Sequence, residues 1–347
     1  MKKFILNITL LSLPLFFLLV GTNYFSDAAR LFDNEYEKKM AQIITSGQNA
    51  TNVENYDERL FQKELISDSS WQPNLVIIGS SRTMLLTSGL VKDSTLSNNS
   101  VSGASLRDLI AVYQIYKDSN KLPEKIIIGI DPWLFNESRK DERWKSLEEY
   151  YYKFINKKDH EKIEVNNYKE LFSLSYFQSS LRRIPKSILG KNQVMGSNSK
   201  YNYSATKLSD GSLAYGQKYR SASQKEIDNT IDYFISQDLY GLKDFKFISE
   251  QRWKKFGLLV FDMKKNNIEV EFFLAPYSPK TFNRIRNDYP LALEVEEKIR
   301  KFSEVNKIKI YGSFNPKKYD LDKTFFYDNM HAKETAIEII MKNYNNH

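Results

Sequence analysis

Four short apolar runs constrain this chain more than any other feature. They read NLVIIG (Asn74–Gly79), KIIIGI (Lys125–Ile130), IEVEFFLAP (Ile268–Pro276) and IKIYG (Ile308–Gly312). Each is rich in branched residues and too short for a buried helix, which suits a strand covered on both faces. A weaker strand pattern lies near Asn98–Val101. Helical patterns over Gly103–Tyr116, 285–305 and 333–345 separate or follow these runs. Strands alternating with helices predict an α/β fold built on a three-layer parallel sheet. Residues 132–267 hold no comparable strand. They are aromatic and helical (SLEEYYYKFI, EIDNTIDYFI), with a polar Gly/Ser/Tyr stretch at 196–223. They read as a large insertion in a domain spanning 71–347, one that roofs the carboxyl edge of the sheet. Residues 26–70 read as a polar stalk or as outer helices packed on that domain.

The start of the chain has a different character. Lys2 and Lys3 precede an apolar run from Phe4 to Val20. Such a run predicts a signal-peptide core or a membrane anchor over residues 1–25. Basic residues before it and none close behind predict a cytoplasmic N-terminus. The expectation is a single-pass inner-membrane protein with its bulk outside the cytoplasm. Cleavage after Ala28 is the alternative, and Asp27 beside that bond favours a retained anchor.

Composition narrows the chemistry. The 347 residues include no Cys, which excludes disulfides, thiolate metal ligands and thiol catalysis. Of the three His, His347 is the last residue and His160 lies in the charged run KKDHEK, leaving His331 as the one with a chemical context. With 51 Lys and Arg against 43 Asp and Glu the net charge is +8. No compact basic helix, zinc finger or RNA-binding strand accompanies it, so nucleic acid is not expected as a partner. A solvated surface is the simpler expectation for the excess, and an anionic envelope or polysaccharide neighbour is its functional alternative.

In open parallel sheets the reactive groups gather in loops after the strands' carboxyl ends. Four such loops carry small or polar residues here: Gly79-Ser80-Ser81-Arg82, Ser102-Gly103-Ala104-Ser105, Asp131-Pro132-Trp133 and Tyr327-Asp328-Asn329-Met330-His331. A serine at a strand-to-helix turn is a plausible nucleophile that needs a base, and His331 is the one sensible candidate. Asp328, three residues earlier, is in reach to orient the imidazole. Taken singly, Gly-Ser-Ser is a common turn and Asp-x-x-His a common helix cap.

In this order and topology the set resembles the SGNH (GDSL-like) hydrolase superfamily, and within it the membrane-anchored DltD-like and alginate-acetylation-like branch. Gly79-Ser80-Ser81 matches the opening Gly-Asp-Ser block in its Gly-Ser-Ser form, Gly103 the second-block glycine, and Asp328 with His331 the closing Asp-x-x-His. The resemblance covers about 74–131 and 268–345, and the insertion only loosely through DGSLAYGQKYR. It implies a flavodoxin-like SGNH fold with Ser81, Asp328 and His331 catalytic. The N–H groups of Ser81 and Gly103 would form the oxyanion hole, with Ser80, Arg82 and Asp131 as neighbours. It further implies an esterase or O-acyltransferase acting on an envelope glycan or polymer, with no metal or soluble cofactor, beside a polytopic membrane acyltransferase. The third block departs. Gly129-Ile130-Asp131-Pro132 places Asp where the family has a donating Asn, and an ionised carboxylate cannot donate. Either Asp131 turns away to pair with Arg82 or Arg107, or the hole uses the two backbone donors alone, or Asn136 substitutes. That departure keeps open a second reading, a non-catalytic envelope-assembly or polysaccharide-binding protein. In the catalytic reading, insertion aromatics form one wall of an open groove beside Ser81. For Trp133, Trp144 and Trp253, core packing is the simpler expectation than sugar stacking.

Overall fold

The structure is a computed structural model that describes residues 2–27, 35–91, 95–156, 167–188 and 193–342. Ala28, His160 and His347 lie outside the described residues. Helix α1 (Lys2–Ser26) docks its C-terminal end through polar bonds. The buried Asn23 donates to the carbonyls of Leu171 and Ser173 at 2.9 and 3.2 Å, and Ser26 Oγ donates to Ser180 O at 2.7 Å. Among the described residues no helix is long and apolar enough to cross a membrane. The expected single-pass anchor, and the inner-membrane placement built on it, are corrected accordingly: the C-terminal end of α1 carries the polar Asn23 and Ser26, and both are fastened to protein.

Residues 35–67 form α2 (Glu35–Thr45), the short strand β1 (Asn49–Thr51) and α3 (Glu58–Ser67), closed around Met40, Ile44, Phe61 and Leu65. Then the main sheet begins with β2 (Leu75–Ile78) and β3 (Leu96–Asn98), followed by α4 (Leu106–Asp118) and β4 (Lys125–Gly129). Helix α4 starts three residues later than the apolar pattern indicated. Gly103 has φ +55°, outside the helical region, and Ser105 with Asp108 forms a capping box.

The stretch 132–267 contains α5 (Glu148–Phe154), α6 (Leu174–Ile188), strands β5 (Met195–Ser197), β6 (Thr206–Lys207) and β7 (Leu213–Ala214), and helices α7 (Gln217–Arg220), α8 (Gln224–Ser236) and α9 (Glu250–Lys265). The three short strands fall in and beside the polar stretch at 196–223, where the sequence predicts no regular structure. Together with β1 they form an antiparallel sheet of order β5-β1-β6-β7, in which β5 and β6 flank β1 and β7 pairs with β6. Strands of two or three residues show no period-2 pattern, so sequence periodicity passes over them.

Strand β8 (Glu269–Leu274), helices α10 (Pro279–Asp288) and α11 (Pro290–Asn306), strand β9 (Lys309–Gly312) and α12 (Glu334–Met341) complete the chain. The single helix expected over 285–305 is two, because Pro290 forces Tyr289 out of the helical region (φ −133°, ψ 55°) and restarts the helix at its first position.

The five-stranded sheet is parallel throughout, in the order β3-β2-β4-β8-β9. Alternate strand residues feed two cores. Val76, Ile78, Ile126, Ile128 and Phe272 pack with α4, α9 and α11, whereas Leu75, Ile77, Ile127 and Phe273 pack with α12. The chain starts at β2, moves to one edge (β3), then crosses back past β2 to β4. The order therefore reverses between β2 and β4, and a crevice opens there outside the strands' carboxyl ends.

Candidate active site

That crevice is shaped first by glycine. A Cβ on Gly79 would stand 2.5 Å from Thr83 Oγ1 and 3.1 Å from the Gly129 Cα. Two adjacent strand ends can approach this closely only without side chains, and the approach lets the chain turn at once from β2 into a 3-10 turn at Ser81–Thr83. Ser80, fully buried, caps this turn by accepting from Arg82 N at 3.2 Å. Asn98 Nδ2 donates to the carbonyls of Thr83 and Leu86 at 2.8 and 2.9 Å, pinning the far side of the turn.

From the other end of the chain, the loop 327–331 is closed by Tyr327 N donating to His331 O at 2.9 Å. Asp328 Oδ1 accepts from the N–H groups of Met330 (2.8 Å) and His331 (2.9 Å), so its carboxylate is rigidly placed. Its Oδ2 lies 2.7 Å from His331 Nδ1, and His331 Nε2 lies 2.9 Å from Ser81 Oγ. Three side chains separated by up to 250 residues thus form one hydrogen-bonded line. Burial pushes the Asp328 carboxyl up. The His331 ring and hydrogen bonds from His331, Tyr219 and the Met330 N–H outweigh that, and hold it well below the usual carboxylate range.

Arg82 and Asp131 form a buried ion pair, Nη1 to Oδ1 at 2.7 Å. Arg82 Nε also donates to Met330 O at 3.2 Å and Nη2 donates to Ala275 O, while its guanidinium lies 3.8 Å above the Tyr277 ring. One arginine therefore ties the ends of β2, β4 and β8 to the peptide next to His331. Asp131 faces Arg82 as one of the sequence alternatives had it, and Arg107 instead lies over Trp144 at 4.7 Å. Asn136 is not available to the crevice: its amide donates to Gly241 O and Lys243 O at 2.9 and 3.2 Å. The substitution of Asn136 for the missing donor is corrected on that ground.

Gly103 lies in the loop after β3, which is joined to the end of β2 by Val101 N donating to Gly79 O at 3.0 Å. The left-handed φ of Gly103 and the crowding of the Tyr240 hydroxyl and Arg143 against its Cα face both exclude a side chain there. Arg139 Nη2 donates to its carbonyl at 2.7 Å. Trp133 and Trp144 are buried in the core and Trp253 packs on it.

Sequence reasoning missed how the insertion reaches this place. Asp210 O accepts from Asn98 N at 2.8 Å, Asp210 Oδ2 from Ser88 N at 2.7 Å, and Met84 O from Leu213 N at 2.9 Å. These bonds dock residues 206–214 on the sheet edge and deliver Tyr219, whose hydroxyl donates to Asp328 Oδ2 at 2.5 Å. The Tyr215 ring stands 6.1 Å from the His331 ring. The one available signal was the DGSLAYGQKYR stretch itself, which holds both tyrosines. Among the described residues no group of three or more His, Asp or Glu side chains is placed to hold a metal ion. A scan against protein-family models and a search of curated proteins found no match to this chain.

Proposed function

We propose that the chain is a serine esterase or O-acyltransferase of the SGNH type, acting on acyl esters of a glycan or polymer. The observation that carries this reading is the line Ser81 Oγ, His331 Nε2, His331 Nδ1, Asp328 Oδ2, at 2.9 and 2.7 Å. A parallel sheet of order β3-β2-β4-β8-β9, with the serine loop at its point of reversal, supports it. In this reading Ser81 Oγ attacks the acyl carbonyl as His331 Nε2 takes its proton, and the N–H groups of Ser81 and Gly103 receive the oxyanion. Collapse of the tetrahedral adduct expels the alcohol, which His331 protonates. Water or a sugar hydroxyl then gives its proton to His331, attacks the acyl-enzyme and frees Ser81. Asp328 orients the ring and stabilises the imidazolium. With Asp131 held by Arg82, the hole in this reading would rely on two backbone donors and no side-chain amide from the third block; one lost donor costs about 10²–10³ in rate, so a slow or transfer-specialised enzyme is expected.

That same Asp131 favours a second reading, a non-catalytic glycan-binding protein on this scaffold. A fluorophosphonate probe separates the two. Covalent labelling of the folded wild-type chain, absent in Ser81→Ala and in His331→Ala, is the result expected of the enzyme. A folded wild-type protein that does not react overturns it.

A further inference from the structure

Behind the Gly103 loop lies a second cavity, lined by Arg107, Glu137, Arg139, Asp141, Arg252 and Lys255 around the first turn of α4. Four cations face two carboxylates, a formal excess of two positive charges. The carboxylate of Asp141 is already committed to Arg139 and Arg143, at 2.8 and 2.7 Å. Among the described residues Arg107, Arg252 and Lys255 have no carboxylate within ion-pair distance. Arg107 rests on the Trp144 ring, Lys255 Nζ donates to the Tyr151 hydroxyl at 2.7 Å, and Arg252 Nη2 donates to the carbonyls of Glu137 and Arg139 at 3.2 and 3.0 Å. Their head groups are thus positioned by rings and backbone rather than neutralised.

Gathering like charges is unfavourable unless something between them is negative. Burial, with the neighbouring charges of Arg107 and Arg139, pulls Arg252 below its ordinary value against the pull of Glu137. Arg252 bonds the backbone on which Arg139 sits, and Arg139 in turn holds the carbonyls of Gly103 and Ala104 at 2.7 and 3.3 Å.

We propose that this cavity is a binding site for a phosphate-class oxyanion, recognised by Arg107, Arg252 and Lys255. The excess of two charges matches a phosphate dianion better than a single carboxylate, and guanidinium forks suit tetrahedral oxygens. The site is separate from Ser81 and stands on binding alone, whatever Ser81 does.

The test is titration of the full chain with inorganic phosphate at low ionic strength, followed by calorimetry and ³¹P line broadening. Arg107→Gln and Lys255→Gln remove charge without touching the backbone bonds that Arg252 makes. Each is expected to weaken phosphate about tenfold, while Lys301→Gln on an exposed helix position changes affinity less than about twofold. Methyl phosphate competing as well as phosphate places a phosphoryl group on a larger ligand; acetate competing equally well removes the phosphate assignment. No saturable binding in the millimolar range, or equal weakening by the Lys301 control, overturns the proposal.

Discussion

The hydroxyl of Tyr219 and the imidazole of His331 meet on the same atom, Asp328 Oδ2, at 2.5 and 2.7 Å. Tyr219 belongs to the insertion and His331 to the loop before α12, so the carboxylate is shared between the two parts of the molecule. The sharing strengthens the carboxylate's hold on its charge and places the insertion one hydrogen bond from the carboxylate that His331 also contacts.

Removing that bond should therefore reach the chemistry without dismantling it. Tyr219→Phe keeps the ring that stacks on Tyr215 at 4.8 Å and deletes only the donor. Hydrolysis of a small aryl ester is expected to fall by up to about tenfold, the worth of one charge-assisted hydrogen bond of roughly 1.5 kcal/mol, in kcat rather than KM. Because the bond is one of the causes lowering the Asp328 carboxyl, its loss raises that carboxyl. A lowered carboxyl gives stability that is present above the unfolded value and lost as pH falls through the folded one, so acid unfolding of the variant should begin at higher pH. Unchanged kcat together with an unchanged acid transition would remove Tyr219 from the site.

Asp131→Asn tests whether an amide at this position can simply supply the side-chain donor that the proposed oxyanion hole lacks. It cannot, because the carboxylate compensates Arg82 within a buried pair. Leaving that guanidinium unpaired is expected to destabilise the fold by about 3–5 kcal/mol in urea unfolding. A variant of wild-type stability with faster ester cleavage would show that Asp131 occupies an oxyanion position.

The strands were readable because branched runs such as Leu75–Ile78 carry their burial in their own composition. So were the loops that carry the candidate residues, since such loops follow the carboxyl ends of the strands. The insertion was not. Its strands β6 and β7 hold two residues each and are stabilised by partners over 100 residues away, such as Asn98 for Asp210. Tyr219 was equally hidden, because nothing local distinguishes a tyrosine that reaches a carboxylate 109 positions later from one that packs a core. Asn136 misled for the opposite reason: an amide near the right loop is as useful for holding two carbonyls as for binding an oxyanion.

Lys207 offers a prediction about pH. It is buried, with Nζ donating to Gly211 O at 2.8 Å and lying 5.6 Å from the Phe61 ring centroid. Burial pushes it down to about 8. Between that value and roughly 10.4 the unfolded chain holds the proton more tightly, so stability contributed by this group rises with pH by about 3 kcal/mol across the window. Below about 8 both states are charged and the full penalty stands. Lys207→Met should therefore be more stable than wild type at pH 7, with the advantage shrinking by pH 10. A difference that does not depend on pH would mean the ammonium is solvated.

The last prediction concerns the proton on His331. Asp328 receives four donors: two backbone N–H groups on Oδ1, and Tyr219 Oη–H and His331 Nδ1 on Oδ2. An acceptor-only carboxylate satisfies all of them, whereas an amide has one accepting oxygen. In Asp328→Asn the amide oxygen will stay with the two backbone N–H groups, because turning it would set NH₂ against both and cost about 1–3 kcal/mol. The NH₂ then faces His331 Nδ1, which must accept. The ring proton moves to Nε2 and points at Ser81, so the ring can no longer take the serine's proton. Fluorophosphonate labelling is expected to slow by about 10⁴-fold with the fold intact. Nitrogen-15 spectra should show the proton at Nδ1 in the wild type and at Nε2 in the variant. Labelling within about tenfold of wild type, or an unchanged tautomer, would mean that Asp328 does not set the state of the ring.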